Sequence, residues 1–300
     1  MWPALVDALL RAVTEEGQSD SDVPIREVVL QWLYVYTGLV AFSYVMSVVG
    51  ASCSQADKMR PFVPVVFISI AAAHIEFQDA RVMGLTFLVG LWGFRRFFHQ
   101  VRRNLYAFPL IWNGEEDKRW DQVRLIADRL TENELAYNLC WELFSLLFVH
   151  AIQIGTLVLL VLPVLSTLQQ RDELLTIEDW VLAGLMLACV AASAAAEEQA
   201  YFSKGLCQTG LFAACRHPNY LFEQLFWFLF TALATHTYSH CSIIWWLGAG
   251  LLIPMQYLSS YFSERALCTK YKGYTKYQEM TWRFFPWFGP NQVVFNVKQS

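Results

Sequence analysis

The strongest constraint on this chain is the way its charge is arranged. Stretches such as Val28 to Gly50 and Trp180 to Ala196 carry no Asp, Glu, Lys or Arg, and the charged residues gather between such stretches. In hydrocarbon every backbone N–H and C=O must be satisfied within the protein, so apolar runs of about 20 residues read as membrane-crossing helices. The bulk numbers agree. The chain is 56% hydrophobic and only 16% charged, against about 25% charged residues in a soluble domain. The expected fold is all-α, a polytopic helical membrane protein of about seven transmembrane helices.

The same reading excludes several function classes. No basic run supports nucleic-acid binding. GxGxxG, P-loop, HExxH and GxSxG motifs are absent, which removes soluble nucleotide-binding folds and familiar hydrolases. Seven cysteines, at 53, 140, 189, 207, 215, 241 and 268, show no CxxC and no zinc-type Cys/His spacing. Packed membrane thiols are expected, with no metal and no disulfide framework.

Taken in order, residues 1–27 form an acidic segment outside the bilayer, and 28–300 a single membrane domain. Spans are expected at Val28–Gly50, Pro61–Phe77, from Val82 to Phe94, up to about Leu165, at Trp180–Ala196, from Pro218 to about Thr235, and at Ile243–Phe262. Thr131-x-x-Glu134 has the form of a capping box opening the fourth span. Loops 51–60, 95–135 and 198–218, together with the tail from 263, hold 18 of the 22 Lys and Arg residues. The positive-inside rule then puts those loops and the C-terminus in the cytosol.

Chemistry concentrates in Cys215-Arg216-His217-Pro218-Asn219-Tyr220-Leu221-Phe222-Glu223. Pro218 suits the first turn of a helix, and His217 before it is held out of helical geometry. The helix N-terminus beside Arg216 and His217 would attract an anion such as a phosphate. Asn219 and Glu223 share one helix face. A second candidate is the tail from Glu264 to Trp287, where basic and aromatic residues alternate. It either folds back over the Arg216 cluster or forms an interfacial belt. A third is intramembrane: His74, Glu76 and Glu142, since ionisable groups inside spans usually face a cavity. Glu76 would hydrogen-bond the polar head of a lipid-like substrate, unless its span ends before it. Glu115-Glu116-Asp117-Lys118-Arg119-Trp120, read alone, is a solvated charge run.

With these residues in view, the chain resembles the DUF1295 family, within the steroid 5-alpha-reductase and sterol reductase superfamily. The matching residues are Arg216-His217-Pro218-Asn219-Tyr220 with Glu223, then Glu264, Gly273-Tyr274-x-x-Tyr277 and Thr281-Trp282-Arg283-Phe284-Phe285-Pro286-Trp287. Leu91-Trp92-Gly93-Phe94-Arg95, Glu116-Asp117-Lys118-Arg119-Trp120 and Ala196-Glu197-Glu198-Gln199 also fit. The resemblance implies an enzyme of the endoplasmic reticulum membrane that takes NADPH from the cytosolic side. It would reduce a carbon–carbon double bond of a steroid, sterol or other isoprenoid lipid. By the resemblance Asn219 and Glu223 hold the nicotinamide end. Arg216, His217, Tyr277 and Arg283 contact phosphate or ribose, and Glu264 orients the pocket. Tyr220 is the proton donor, Glu223 shares the catalytic site, and Glu76 with His74 meets the substrate. Phe222 stands where the family usually has Gly, and Glu197 where it has Asp. The alternatives are a non-catalytic sterol or lipid binder of the same fold, and an S-adenosylmethionine-dependent membrane methyltransferase, whose relatives share an Arg-His-Pro-x-Tyr element.

Overall fold

A computed structural model describes residues 25–50, 52–107, 114–128, 133–169, 174–203, 205–237 and 242–284. Most of the acidic N-terminal segment, Thr131, Cys241 and the tail beyond Phe284 lie outside these residues.

The described chain is helical. Helix α1 (Ile25–Val49) leads through the short α2 (Gln55–Met59) to α3 (Val63–His74) and α4 (Ala80–Arg102). Helix α5 (Arg119–Ala127) precedes α6 (Glu134–Phe144), which continues through a π-helical stretch (Ser145–Ile152) into α7 (Gln153–Val161) and α8 (Val164–Gln169). Then come α9 (Ile177–Phe202), α10 (Leu211–Ala214) and α11 (Pro218–Thr235). A 3₁₀ turn (Ile243–Trp246) runs into α12 (Leu247–Lys270), and α13 (Tyr274–Met280) closes the described chain.

Four segments are long and apolar enough to cross a membrane: Ile25–Val49, Glu134–Leu168, Ile177–Phe202 and Ile243–Lys270. The other three expected spans are also helical but differ in kind. At 1.5 Å per residue α3 is only about 18 Å long, short of the ~30 Å hydrocarbon core. Helix α4 does not stop at Phe94. It carries Arg95, Arg96 and Gln100 buried inside the bundle. Helix α11 buries Glu223.

Local chemistry explains the ends. Thr176 and Asp179 cap α9 reciprocally, as a capping box requires. At α6 the cap is Asn133, whose side chain accepts from the Leu135 and Ala136 amides. Pro163 sits in the turn between α7 and α8, where it need not donate to a helical ladder. Asp79 accepts from the Val82 amide and starts α4.

The core is aromatic at its centre. Trp92 of α4 meets Trp227 of α11 edge-on at 5.0 Å between ring centroids, and Phe226 and Phe230 flank it. Two glycines set how closely helices approach. A Cβ on Gly93 would lie 2.6 Å from the Pro61 carbonyl oxygen, and one on Gly248 would lie 2.4 Å from the Leu159 backbone. Helix α4 therefore lies directly against the start of α3, and α12 against α7.

The bundle has two unlike ends. At one, Arg81 and Asp179 form a buried bidentate pair, with Arg81 also donating to Thr237. The other collects the start of α3, the ends of α4, α9 and α12, and the start of α11. Most of the basic residues are there.

Candidate functional site

Glu264 organises the first half of the basic end. Its carboxylate is wholly buried. It accepts from Arg216 Nε (2.8 Å) and Nη2 (3.3 Å), His217 Nε2 (3.0 Å), Gln278 Nε2 (3.0 Å) and Arg283 Nη2 (2.9 Å). Arg216 Nη1 donates on to the Gln278 and Thr281 carbonyls. The Arg216 and His217 amides bond to the carbonyls of Trp282 and Arg283 at 2.7 and 3.1 Å. The tail does fold back over the Arg216 cluster. Burial pushes the His217 imidazole below its usual value despite the carboxylate beside it. The neutral ring then donates from Nε2 to Glu264.

The resemblance had assigned cofactor roles to Arg216, His217, Glu264 and Tyr277. The structure engages their polar groups with each other and with backbone, Tyr277 through its hydroxyl on the Phe212 carbonyl. Arg216 in particular points at Glu264 and not at the N-terminus of α11, so the two do not form a joint anion site. Arg283 lies over the Tyr257 ring at 4.6 Å, and its Nε and Nη1 are buried without a hydrogen-bond partner.

A second cluster lies one turn further along α11. Glu223 is 2% exposed, with Arg96 Nη1 at 3.5 Å and Arg60 Nη2 at 3.9 Å. Glu197 takes Arg95 Nη1 at 2.7 Å and has Arg96 Nη1 at 3.5 Å. Arg95 also donates to Ser193, which in turn donates to the Asn219 carbonyl. Three arginines thus face two carboxylates, an excess of one positive charge. Arg60 Nε, Arg95 Nε and Nη2, Arg96 Nε and Glu223 Oε1 are buried with no hydrogen-bond partner. An unpaired buried charge is expensive, and guanidinium groups with spare N–H donors match phosphate oxygens. Asn219 lies on the same face of α11 as Glu223, half-buried.

Tyr220 joins this cluster to an apolar cavity. Its hydroxyl is 3.2 Å from Ser259 Oγ on α12, and it feels the charges of Arg60, Arg96 and Arg119. Ser259 also accepts from Arg119 Nη1. Beyond Ser259 a cavity of about 520 Å³ opens between α5, α6 and α12, lined largely by aromatic side chains. Arg119 is fixed by Asp57 at 3.3 Å and Asp117 at 3.0 Å. Burial alone would raise Asp117, but the Arg119 and Arg103 guanidinium groups hold its carboxyl well below the usual carboxylate range. The run at 115–120 is therefore not simply a solvated face: Asp117 and Trp120 are buried anchors of α5.

His74 and Glu76 do not join either cluster. Helix α3 ends at His74, and Glu76 follows in an exposed turn at φ +54°, near Gln78. Arg60, at the other end of α3, is the residue that reaches Glu223. His74 bonds to the Ile70 carbonyl and lines a separate open groove between α1 and α3. The expected span ends before Glu76, which corrects the substrate role given to this pair. Glu142 bonds the Tyr44 hydroxyl. Phe222 is half-buried and packs against the main apolar cluster.

Sequence reasoning missed Arg60, Arg95, Arg96, Arg119 and Asp57 as members of the site. Arg95 and Arg96 were legible only as charges ending an apolar run. The one hint was Gly93 beside them, a residue that lets two helices close up. Among the described residues no group of His, Cys, Asp and Glu is placed to hold a metal ion, and the six described cysteines are free.

Comparison with known proteins gives a family. The model described as "Protein of unknown function (DUF1295)" matches residues 43–281. The chain is also 27% identical over 277 residues to an uncharacterized protein of Schizosaccharomyces pombe, covering 80% of this chain and 74% of that one. No solved structure matches.

Proposed function

This chain belongs to the DUF1295 family, and from that premise we propose that it is a multi-pass membrane oxidoreductase. It uses NADPH to reduce a carbon–carbon double bond of a steroid, sterol or other isoprenoid lipid. The observation that carries this reading is the buried Arg60–Arg95–Arg96 cluster. It holds an excess positive charge and unpartnered donors, and Tyr220 connects it to an apolar cavity. A cofactor with phosphates and a lipid substrate require that combination. We place the basic end in the cytosol, where the nucleotide is available, and the protein in the endoplasmic reticulum membrane.

In donor chemistry the residues fit the cofactor. Arg60, Arg95 and Arg96 would hold its phosphates, with Arg283 contributing its two free N–H groups. Asn219 and Glu223 would orient the nicotinamide amide, Glu223 through its unpartnered Oε1. When bound, the dihydronicotinamide supplies a hydride to one carbon of the double bond. Tyr220 gives its hydroxyl proton to the other carbon, so the substrate gains two hydrogens and two electrons. The phenolate left on Tyr220 is stabilised by the guanidinium groups of Arg60, Arg96 and Arg119 and is reprotonated through Ser259. The Glu264 network keeps the tail closed over the start of α11.

Purified protein in detergent should unfold at a higher temperature with NADPH but not with S-adenosylmethionine. At about 100 times the dissociation constant a ligand stabilises by roughly 2.7 kcal/mol. Arg96→Gln should remove the shift. A shift with S-adenosylmethionine instead would make the protein a methyltransferase. No shift with either, together with binding of a sterol, would leave a lipid binder.

A further inference from the structure

The reductase reading leaves open where the lipid sits and what kind of lipid it is. We propose that the cavity between α5, α6 and α12 is the lipid site. It takes a neutral lipid with a keto or hydroxyl oxygen at one end, held by Ser259 and Arg119, with the reducible bond close to that oxygen. This rests on the function proposed above.

The walls are apolar: Trp120, Trp141, Phe144, Phe148, Met255 and Phe262. About 520 Å³ falls in the size range of sites for small organic ligands. Entry is from the side. Helix α6 and the π-helical stretch after it expose Leu135, Leu139, Leu143 and Leu147, one every fourth residue, and no residue of α6 is buried. Cys140 and Trp141 of the same helix line the cavity. One peripheral helix thus separates the cavity from the bilayer.

The polar end sets the ligand's charge. Arg119 lies against two carboxylates, Asp57 and Asp117. A fatty-acid or phospholipid anion placed there would meet both at close range, where like charges repel most in a low-dielectric site. A neutral oxygen meets no such penalty and finds the Ser259 hydroxyl with its Arg119 support. The Tyr220 hydroxyl is 3.2 Å from Ser259 Oγ. A ligand oxygen bonded to Ser259 at about 2.8 Å therefore lies within about 6 Å of the proton donor. The carbon that Tyr220 protonates must be within a few bonds of the ligand oxygen.

Cys140 reports on occupancy without any cofactor. The full-length protein in detergent is treated with a maleimide, and alkylation is read peptide by peptide. The probes are a 3-keto steroid, the same ring system lacking oxygen, and a long-chain fatty acid. The ketone should protect Cys140 at about tenfold lower concentration than the hydrocarbon, the value of one good hydrogen bond, and the fatty acid should not protect. In Ser259→Ala the advantage of the ketone should disappear, while Cys207, outside the cavity, reacts as before and reports an intact fold. Equal protection by ketone and hydrocarbon overturns the proposal, as does better protection by the fatty acid or a ketone advantage that survives Ser259→Ala. Protection without NADPH binding refutes the reductase reading alone. NADPH binding without protection refutes this one alone.

Discussion

Replacing Glu264 by alanine tests the physical account of the basic end most directly. The change removes the acceptor of five hydrogen bonds and leaves Arg216, with its side chain wholly buried, and Arg283 without their shared anion. Summing five charge-assisted bonds at about 1.5–3 kcal/mol each would overshoot, because the bonds share one carboxylate and are not additive. The better measure is the loss of one partner of a buried pair, about 3–5 kcal/mol. That energy holds residues 274–284 on the start of α11, so the lesion should be local unfolding of the tail before loss of the bundle. The Arg216 and His217 amides bond to Trp282 and Arg283 and are the natural reporters. Their hydrogen exchange should accelerate by a factor of about 10² to 10³, the range a 3–5 kcal/mol loss gives. Amides at the centre of α9 should stay protected. Glu264→Gln should fall between, keeping shape while losing charge. If exchange at 216 and 217 in Glu264→Ala stays within about threefold of the native protein, the carboxylate does not hold the tail and the argument from buried charge fails.

Other consequences follow from single contacts. Gly93→Ala puts a Cβ 2.6 Å from the Pro61 carbonyl and should lower thermal stability by about 1–3 kcal/mol, as overpacking does; it should also weaken NADPH binding by moving Arg60 away from Glu223. Asp117 is held below the carboxylate range when folded, so its contribution is complete above about pH 4 and is lost as pH falls through the folded value; acid-induced loosening of α5 should shrink in Asp117→Asn when followed by Trp120 fluorescence. Burial pushes the Cys53 and Cys215 thiols up to about 11, so at neutral pH iodoacetamide should modify Cys140 and Cys207 while those two remain thiols by peptide mass spectrometry. Arg81→Ala leaves Asp179 without its bidentate partner and should cost about 3–5 kcal/mol with no effect on cofactor affinity, which a melt with and without NADPH would separate.

What the sequence determined by itself was the local structure. Uncharged runs with charge gathered between them define an apolar helical protein, because hydrocarbon leaves the backbone few other choices. Pro218 marked the start of α11, and spacing alone put Asn219 and Glu223 on one face. Tyr220, Glu223 and Glu264 were all legible as site residues, since polar groups in apolar segments are conspicuous. What only the tertiary structure decided was which charges meet. Arg216 looked like a free cation at a helix N-terminus, yet Glu264, 48 positions away, takes it. Glu223 is met by Arg60 and Arg96, both more than a hundred residues earlier, because Gly93 lets α4 close against the start of α3. Glu76 looked intramembrane because hydropathy cannot show where a short helix turns out. The physical reason is general. Hydropathy and helix periodicity are properties of neighbours in the chain, whereas an ion pair is a property of neighbours in space.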